Sequence, residues 1–354
     1  MAKFIILQTV ATDYRKKLFD TINQRYGNDF LLYAGEDYFE PTVKTDKTIS
    51  YRIPVTNYYF FNRKILFQIG MWKDALTAKT VIMEMNPRIL SNWLLLILRK
   101  IAGKKTVLWG HAWPRKGKDS ISDIVRHGMR NLSNTIITYT KTQAEELQEK
   151  MPNKKIVYAP NSLFYSHEMT VSKNIEPTNI IYVGRLTKKK KPALLIEAFA
   201  IAINKLPQQA NLIIVGDGEE KEYLQKLVKK HGIKNRVKLL GHISDYEKLK
   251  SLYNKALFSV SPGYVGLSIT QSFGFGVPML ISKNEPHSPE IEAAIEGKNS
   301  IFFKTNDVHD LVKKILSFYN NQKQWIEKRE QICRTCKFKY SIEFMAKTFF
   351  DLND

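Results

Sequence analysis

Acidic residues are in short supply. The 354-residue chain carries 34 Asp and Glu against 55 Lys and Arg, a formal net charge of +21. Cysteine is scarcer still, with only Cys333 and Cys336. Two thiols exclude a disulfide framework and cannot complete a structural zinc site. They fall in Glu327–Cys336, which reads as helix, whereas redox pairs act at a strand-to-helix turn, so ordinary reduced thiols in a reducing cytoplasm are expected. Long apolar runs are missing too. Trp93–Leu98 falls far short of the ~20 residues that span a bilayer, so any membrane contact is expected to be peripheral. Met1-Ala2-Lys3 leads into Phe4–Leu7 and then a charged stretch at Asp13–Lys17, which reads as a first buried strand rather than a signal peptide.

The positive charge is spread out. Residues 1–170 hold 26 basic and 15 acidic residues, net +11, and residues 171–354 hold 29 and 19, net +10. Such a field attracts nucleotide phosphates, anionic headgroups or nucleic acid. Zinc-finger spacing, an RNP1-like aromatic string and a basic-region helix are all missing, so nucleic acid is not expected as a partner.

Short apolar runs alternate with helical patterns. In the first half the strands are expected at Phe4–Leu7, Phe30–Tyr33, Val81–Met83, Thr106–Leu108, Thr135–Thr138 and Ile156–Tyr158. In the second half they are expected at Ile180–Val183, Asn211–Val215, Val237–Leu240, Leu257–Val260, Pro278–Ile281 and Ser300–Phe303. Continuous apolar strands with helices between them argue for parallel sheets covered on both faces. Each half reads as a doubly wound α/β unit, with the break in the polar stretch Ser166–Thr178. Ligands of such sheets bind at the carboxyl ends of the strands, and two such domains facing a cleft are expected to share one there.

Tyr182-Val183-Gly184-Arg185-Leu186 closes one strand, Lys190 follows, and Pro192 opens a helix. A glycine turn, a guanidinium, an ammonium and a helix start within a dozen residues suit a diphosphate. The alternative is a solvated basic loop at Lys188–Lys191. The next strand ends in Val215-Gly216-Asp217-Gly218, which admits three readings. A Rossmann turn lacks its third glycine, because Lys221 fills that place. A metal site from Asp217 and Glu219 would be a bare D-x-E pair. The reading we prefer is a tight turn that lets the backbone approach a donor nucleotide. Gly241-His242-Ile243 ends a further strand, where main-chain groups suit a base edge.

Together these segments resemble the retaining GT-B glycosyltransferases of family 4. Val183–Leu186, Lys190 and Leu195–Phe199 match its V-G-R-L, Lys, L-I-E-A-F pattern. Val215–Gly218, Val237–Gly241, Ser261-Pro262 and Gly276-Val277-Pro278 match its later blocks, so the resemblance covers roughly residues 180–303. It implies a GT-B fold of two Rossmann-like domains with a carboxyl-terminal helix crossing back to the first. The corresponding divisions are 1–170, 171–335 and 336–354. It also implies a nucleotide-sugar donor, a UDP- or GDP-sugar first, a glycan or lipid-linked acceptor, retention at the anomeric carbon, no metal and no cofactor. Arg185 and Lys190 fall on the pair that binds the donor diphosphate.

One departure stands out. The family has two glutamates eight apart after Ser-Pro, and here Gly263 and Gln271 occupy those places. The resemblance leaves Gln271 to accept a ribose hydrogen bond and the backbone of Gly263, Val265, Gly266 and Leu267 to hold the sugar or phosphate. A catalytically silent sugar-nucleotide-binding subunit is the alternative reading.

The first half matches more loosely. Trp109-Gly110-His111-Ala112-Trp113 resembles a W-G-H-G segment, which puts His111 at the donor sugar, and Tyr14, Arg15 and Trp113 are expected on the acceptor side. Leu90–Lys105 pairs an apolar run with Arg99, Lys100, Lys104 and Lys105. It reads either as a buried helix with a basic end or as a segment lying on an anionic membrane, at the inner face of the cell membrane.

Overall fold

A computed structural model describes residues 4–114, 117–118 and 120–353. The chain divides into two compact units, residues 1–163 with 342–354, and residues 164–341. The first division therefore falls seven residues before the expected 170/171. The return also comes later than residue 336, because one helix runs unbroken to Tyr340 and stops only at Ser341, whose backbone is extended.

The first unit opens with β1 (Phe4–Val10), α1 (Lys16–Tyr26), β2 (Phe30–Gly35) and β3 (Arg52–Pro54). A hairpin of β4 (Thr56–Phe60) and β5 (Ile65–Ile69) follows, then α2 (Trp72–Thr77) and β6 (Thr80–Glu84). The chain continues through α3 (Leu90–Ile101), β7 (Lys105–Trp109), α4 (Ile121–Leu132), β8 (Thr135–Thr138), α5 (Lys141–Lys150) and β9 (Lys155–Tyr158). Seven strands form one parallel sheet in the order β3-β2-β1-β6-β7-β8-β9. Strand β1 is buried along its whole length, as a central strand covered on both faces must be.

The second unit contains β10 (Asn179–Val183), α6 (Pro192–Ala202), β11 (Leu212–Val215), α7 (Lys221–Lys230), β12 (Val237–Leu239) and α8 (Tyr246–Asn254). Then come β13 (Ala256–Ser261), α9 (Ser268–Gly274), β14 (Met279–Ser282), β15 (Ser300–Phe303), α10 (Val308–Asn320) and α11 (Gln322–Tyr340). Its six parallel strands run β12-β11-β10-β13-β14-β15. Counted within the unit this is 3-2-1-4-5-6, the doubly wound order, with its switch point between β10 and β13.

Helix α12 (Ile342–Asn353) rejoins the first unit, where Met345, Ala346, Phe349 and Leu352 enter the core beside Phe4, Phe19 and Trp109. Cys333 and Cys336 are buried free thiols in α11 whose sulfurs face the Gly274 and Thr270 carbonyls. Among the described residues, no helix is long and apolar enough to cross a membrane.

Candidate functional site

In the second unit the predicted donor residues gather at the carboxyl ends of the strands on both sides of the switch point. After β10 the chain turns at Gly184, whose N–H bonds the Val215 carbonyl at 3.0 Å. The Tyr182 hydroxyl caps the Arg185 carbonyl at 2.9 Å, which fixes the turn. The Arg185 side chain is left exposed, with no carboxylate partner among the described residues.

Lys190 points across the switch point into the loop after β13. Its ammonium donates to the Tyr264 carbonyl at 2.9 Å and lies 3.7 Å from the centroid of the Tyr264 ring. Burial, with the Arg185 charge beside it, pushes its pKa down to about 8, against a weaker opposing pull from Glu290. Two cations face one spot, and one of them is half-stripped of water. An arriving diphosphate would relieve both strains. The rest of the lysine run differs: Lys188 and Lys189 are exposed, and Lys191 is tied to Glu285 and Asn306.

Gly216 and Gly218 lie beside this turn, but for a different reason from the one expected. Each has a left-handed backbone, φ 148° and φ 151°. A Cβ on either would lie 2.9 Å from a carbonyl carbon, of Gly184 or Leu186, and closer still to the oxygen. The glycines therefore allow one loop to lie flat on its neighbour, and the close approach is between backbones of the chain itself. Asp217 accepts from the Gly218 N–H at 2.8 Å and from the Lys221 ammonium at 2.7 Å, so its carboxylate is tied up within its own turn. His242 and Ile243 follow next door, held because Gly216 N–H donates to the Gly241 carbonyl at 2.8 Å. Among the described residues no group of three or more His, Cys, Asp or Glu converges on a point.

The loop after β13 departs from expectation in three places. A side chain at Gly263 would meet the backbone of Lys189 and Lys190, with a Cβ only 2.8 Å from the Lys190 carbonyl carbon. The place of the first family glutamate is thus filled by the lysine turn. Val265 N–H is already spent on His287 Nδ1 at 3.0 Å and does not point to a ligand. Gln271, in α9, accepts from the Tyr253 hydroxyl at 3.3 Å through its oxygen, which leaves its amide N–H groups as the spare donors. Gly266 remains open, and a Cβ there would stand 4.0 Å from the Lys190 ammonium. Leu267 carries the chain into α9.

Two residues here escaped sequence reasoning. His287 accepts from Val265 and donates from Nε2 to the Ser282 carbonyl at 2.9 Å, so the neutral ring staples the loop, and burial lowers its pKa. Glu290 is a buried carboxylate near Lys190. Neither stands in a recognisable spacing with Arg185.

In the first unit the switch point lies between β1 and β6. Glu84, at the end of β6, takes the Thr9 N–H at 2.6 Å and its hydroxyl at 3.0 Å, and burial raises its pKa. Arg15 donates to Gln8 at 2.6 Å and to the Tyr139 hydroxyl at 2.7 Å, and stacks 4.2 Å from the centroid of Trp109. It is therefore a clamped guanidinium rather than the free acceptor contact that was expected. Burial opposes its charge, but Tyr139, Tyr14 and Glu84 outweigh that and raise its pKa. Tyr14 is half-buried beside it. His111 is exposed and meets Tyr139 edge-on at 4.7 Å, which brings it into the same cluster.

Trp113 does not join them. Its indole N–H is held by Glu146 of α5 at 2.6 Å, and its ring packs on the core under α4. Helix α4 also pins the His111 segment: Arg126 donates to the His111 carbonyl at 2.8 Å, and Arg130 to that of Ala112.

Comparison with known proteins bears on both units. Residues 168–335 match the family model for glycosyl transferases group 1. An uncharacterized glycosyltransferase of Haemophilus influenzae is 26% identical over 246 residues, 68% of this chain and 67% of that one. A Campylobacter jejuni alpha-1,4-N-acetyl-D-galactosaminyltransferase is 32% identical over 104 residues, where the match spans 29% of this chain and 28% of the relative. Among solved structures, Anabaena HepE in complex with UDP superposes over 99% of each chain with a TM-score of 0.71 at 15% identity, a likeness of fold. Residues 168–335 thus match the glycosyl transferases group 1 family, within a chain that has the two-unit α/β architecture of GT-B glycosyltransferases.

Proposed function

We propose that the chain is a retaining hexosyl- or related glycosyltransferase that needs neither metal nor cofactor. It would take a nucleotide-sugar, with UDP- and GDP-sugars first, and deliver the sugar to a glycan or lipid-linked acceptor at the inner face of the cell membrane. The observation that carries this is the pairing of exposed Arg185 with desolvated Lys190. Preorganised cations at the point where a leaving group gathers charge are an effective route to a lower barrier. UDP stands in the HepE complex, which supports a uridine nucleotide as the first donor to try.

In this reading the bond from the anomeric carbon to the β-phosphate oxygen breaks with both electrons on the phosphate. Arg185 and Lys190 take up that charge. The acceptor hydroxyl forms the new bond from the same face, and its proton leaves on the departing phosphate. No side-chain nucleophile is required, which suits a loop with Gly263 and Gln271 in place of two carboxylates. Gly184, Gly216, Gly218, His242 and Ile243 line the nucleotide, Gly266, Leu267 and Gln271 the ribose and sugar, and His111 is assigned to the sugar. Tyr14 remains on the acceptor side, positioned by Arg15.

Arg185→Ala and Lys190→Ala should each lower turnover about 10²-fold, the usual effect of removing one such donor. Wild-type rates in both would overturn the reading. The silent-subunit alternative has one observation in its favour, the lysine turn that fills the glutamate place. Sugar transfer or donor hydrolysis by the purified chain excludes it.

A further inference from the structure

The β4–β5 hairpin carries apolar residues on both faces. Of its two inward pairs, Tyr59 with Leu66 packs on Phe39 and Ile89, and Asn57 with Gln68 is polar. Asn57 donates to the Thr9 and Asp37 carbonyls at 3.0 Å each, and Gln68 donates to the Gln8 carbonyl at 3.2 Å and to Asn57 at 2.8 Å. The outward pairs are Tyr58 with Phe67 and Phe60 with Ile65. An antiparallel pair with one face on a protein normally turns polar residues outward, and this one does not.

The tip is held in an unfavourable shape. Phe61, Asn62 and Arg63 all have left-handed backbones, φ 52°, 51° and 61°, and Phe61 is 75% exposed. A left-handed phenylalanine costs free energy that the surroundings must supply. Here Arg88 grips the Arg63 and Lys64 carbonyls at 2.7 and 2.6 Å, and Arg63 holds Asp37 at 2.7 Å.

The neighbours continue the apolar face. Helix α3 packs on β5 and presents Leu94, Ile97 and Ile101 outward. Helix α4 packs against α3 and leaves Ile121, Ile124 and Val125 exposed at helical spacing. The charge carried by the hairpin and α3 is basic. Residues 52–70 and 86–105 hold eight Lys and Arg and no Asp or Glu, and Lys64, Arg88, Lys100 and Lys104 are exposed.

We propose that this face, with Phe60 and Phe61 at its point, docks on an anionic lipid bilayer. It rests on the membrane location proposed above and supplies the surface for it. Aromatic and aliphatic groups ringed by cations are what the boundary between headgroups and acyl chains accepts. A second copy of the chain fits poorly, because each brings a net charge of +21 to the contact. The inner side chains of the hairpin bond the end of β1, so docking sets the bilayer beside Arg15 and Glu84.

The test is co-sedimentation of the full chain at low salt with vesicles of equal phosphatidylcholine and phosphatidylglycerol. Vesicles of phosphatidylcholine alone serve as comparison. The variant is Phe60→Ser with Phe61→Asn, chosen because asparagine accepts the left-handed backbone. A second variant changes Lys64, Lys100 and Lys104 to Ser and leaves the Arg88 grip intact.

Wild type should bind the anionic vesicles. The aromatic variant should bind roughly tenfold more weakly with an unchanged circular dichroism melt, and the lysine variant should lose its preference for anionic lipid. No binding by wild type, or equal binding by both variants, overturns the proposal. So does a wild-type dimer in light scattering that the aromatic variant dissolves. Nucleotide diphosphate binding by thermal shift is read in parallel. Vesicle binding without nucleotide binding would sink the enzyme reading and leave this surface standing.

Discussion

Replacing Gly263 by alanine tests whether the lysine turn really occupies the place of the family glutamate. Gly263 needs no left-handed backbone, so the cost of a methyl group there is purely steric. That methyl would lie 2.8 Å from the Lys190 carbonyl carbon and 2.9 Å from its Cα, and both neighbours are main chain with no rotamer to turn. Overpacking of this kind costs about 1–3 kcal/mol. For a unit of this size each kcal/mol moves Tm by roughly 2–4 °C, so a fall of about 2–12 °C is expected if the turn stays put.

If the turn moves instead, stability survives but the Lys190 bond to the Tyr264 carbonyl is lost. Affinity for a nucleotide diphosphate should then drop about tenfold, equivalent to ~1.4 kcal/mol. Differential scanning fluorimetry with and without UDP reads both quantities in one series. A variant with wild-type melting and wild-type nucleotide shift would refute the packing argument. Gly263→Glu should be worse than alanine, which separates this from a simple lost carboxylate.

Further outcomes follow from the same geometry. Lys190 has a folded pKa of about 8 against 10.5 for the free side chain, so its charged burial costs stability below pH 8, and that cost is recovered between about pH 8 and 10.5. Nucleotide diphosphate affinity should therefore weaken as pH rises through about 8, and Lys190→Ala should flatten that profile in isothermal titration. His287 is held neutral, its folded pKa below the ordinary 6.5, so stability should be lost as pH falls below that value. His287→Ala should cost about 1–3 kcal/mol in denaturant melts by leaving Val265 N–H unpaired. Gly216→Ala adds a forbidden backbone to its clash and should yield little folded protein in expression trials. Trp113→Phe should cost about 1 kcal/mol through the loss of its bond to Glu146 and leave the acceptor KM unchanged; a raised KM would restore its acceptor role.

The parallel sheets were legible because their strands are short, continuous apolar runs, and all twelve expected strands are present within two or three residues at either end. The three strands that sequence reading missed lie together at β3, β4 and β5. β3 is a three-residue edge with no period to detect. The hairpin hides because its turn, Phe61–Lys64, contains no glycine, proline or aspartate, and because aromatic residues stand on both of its faces, so no alternation shows. Within the site, Arg185, Gly184 and Lys190 were readable as residue types at a strand end. The roles of Gly216, Gly218 and Gly263 were not, since each is defined by a backbone far away in sequence. Trp113 was misplaced for a related reason: an indole N–H near a strand end needs a partner, and Glu146, 33 residues on, supplies it.

The return of α12 has a consequence for how the molecule comes into being. Met345, Phe349 and Leu352 complete a core begun by Phe4, yet the ribosome delivers them only after the whole of residues 164–341. The earlier-made half must wait, its greasy flank uncovered, while the later-made half closes around an uninterrupted stretch of chain. The order of folding should therefore run against the order of synthesis, and the nascent first half is where a chaperone would find something to hold.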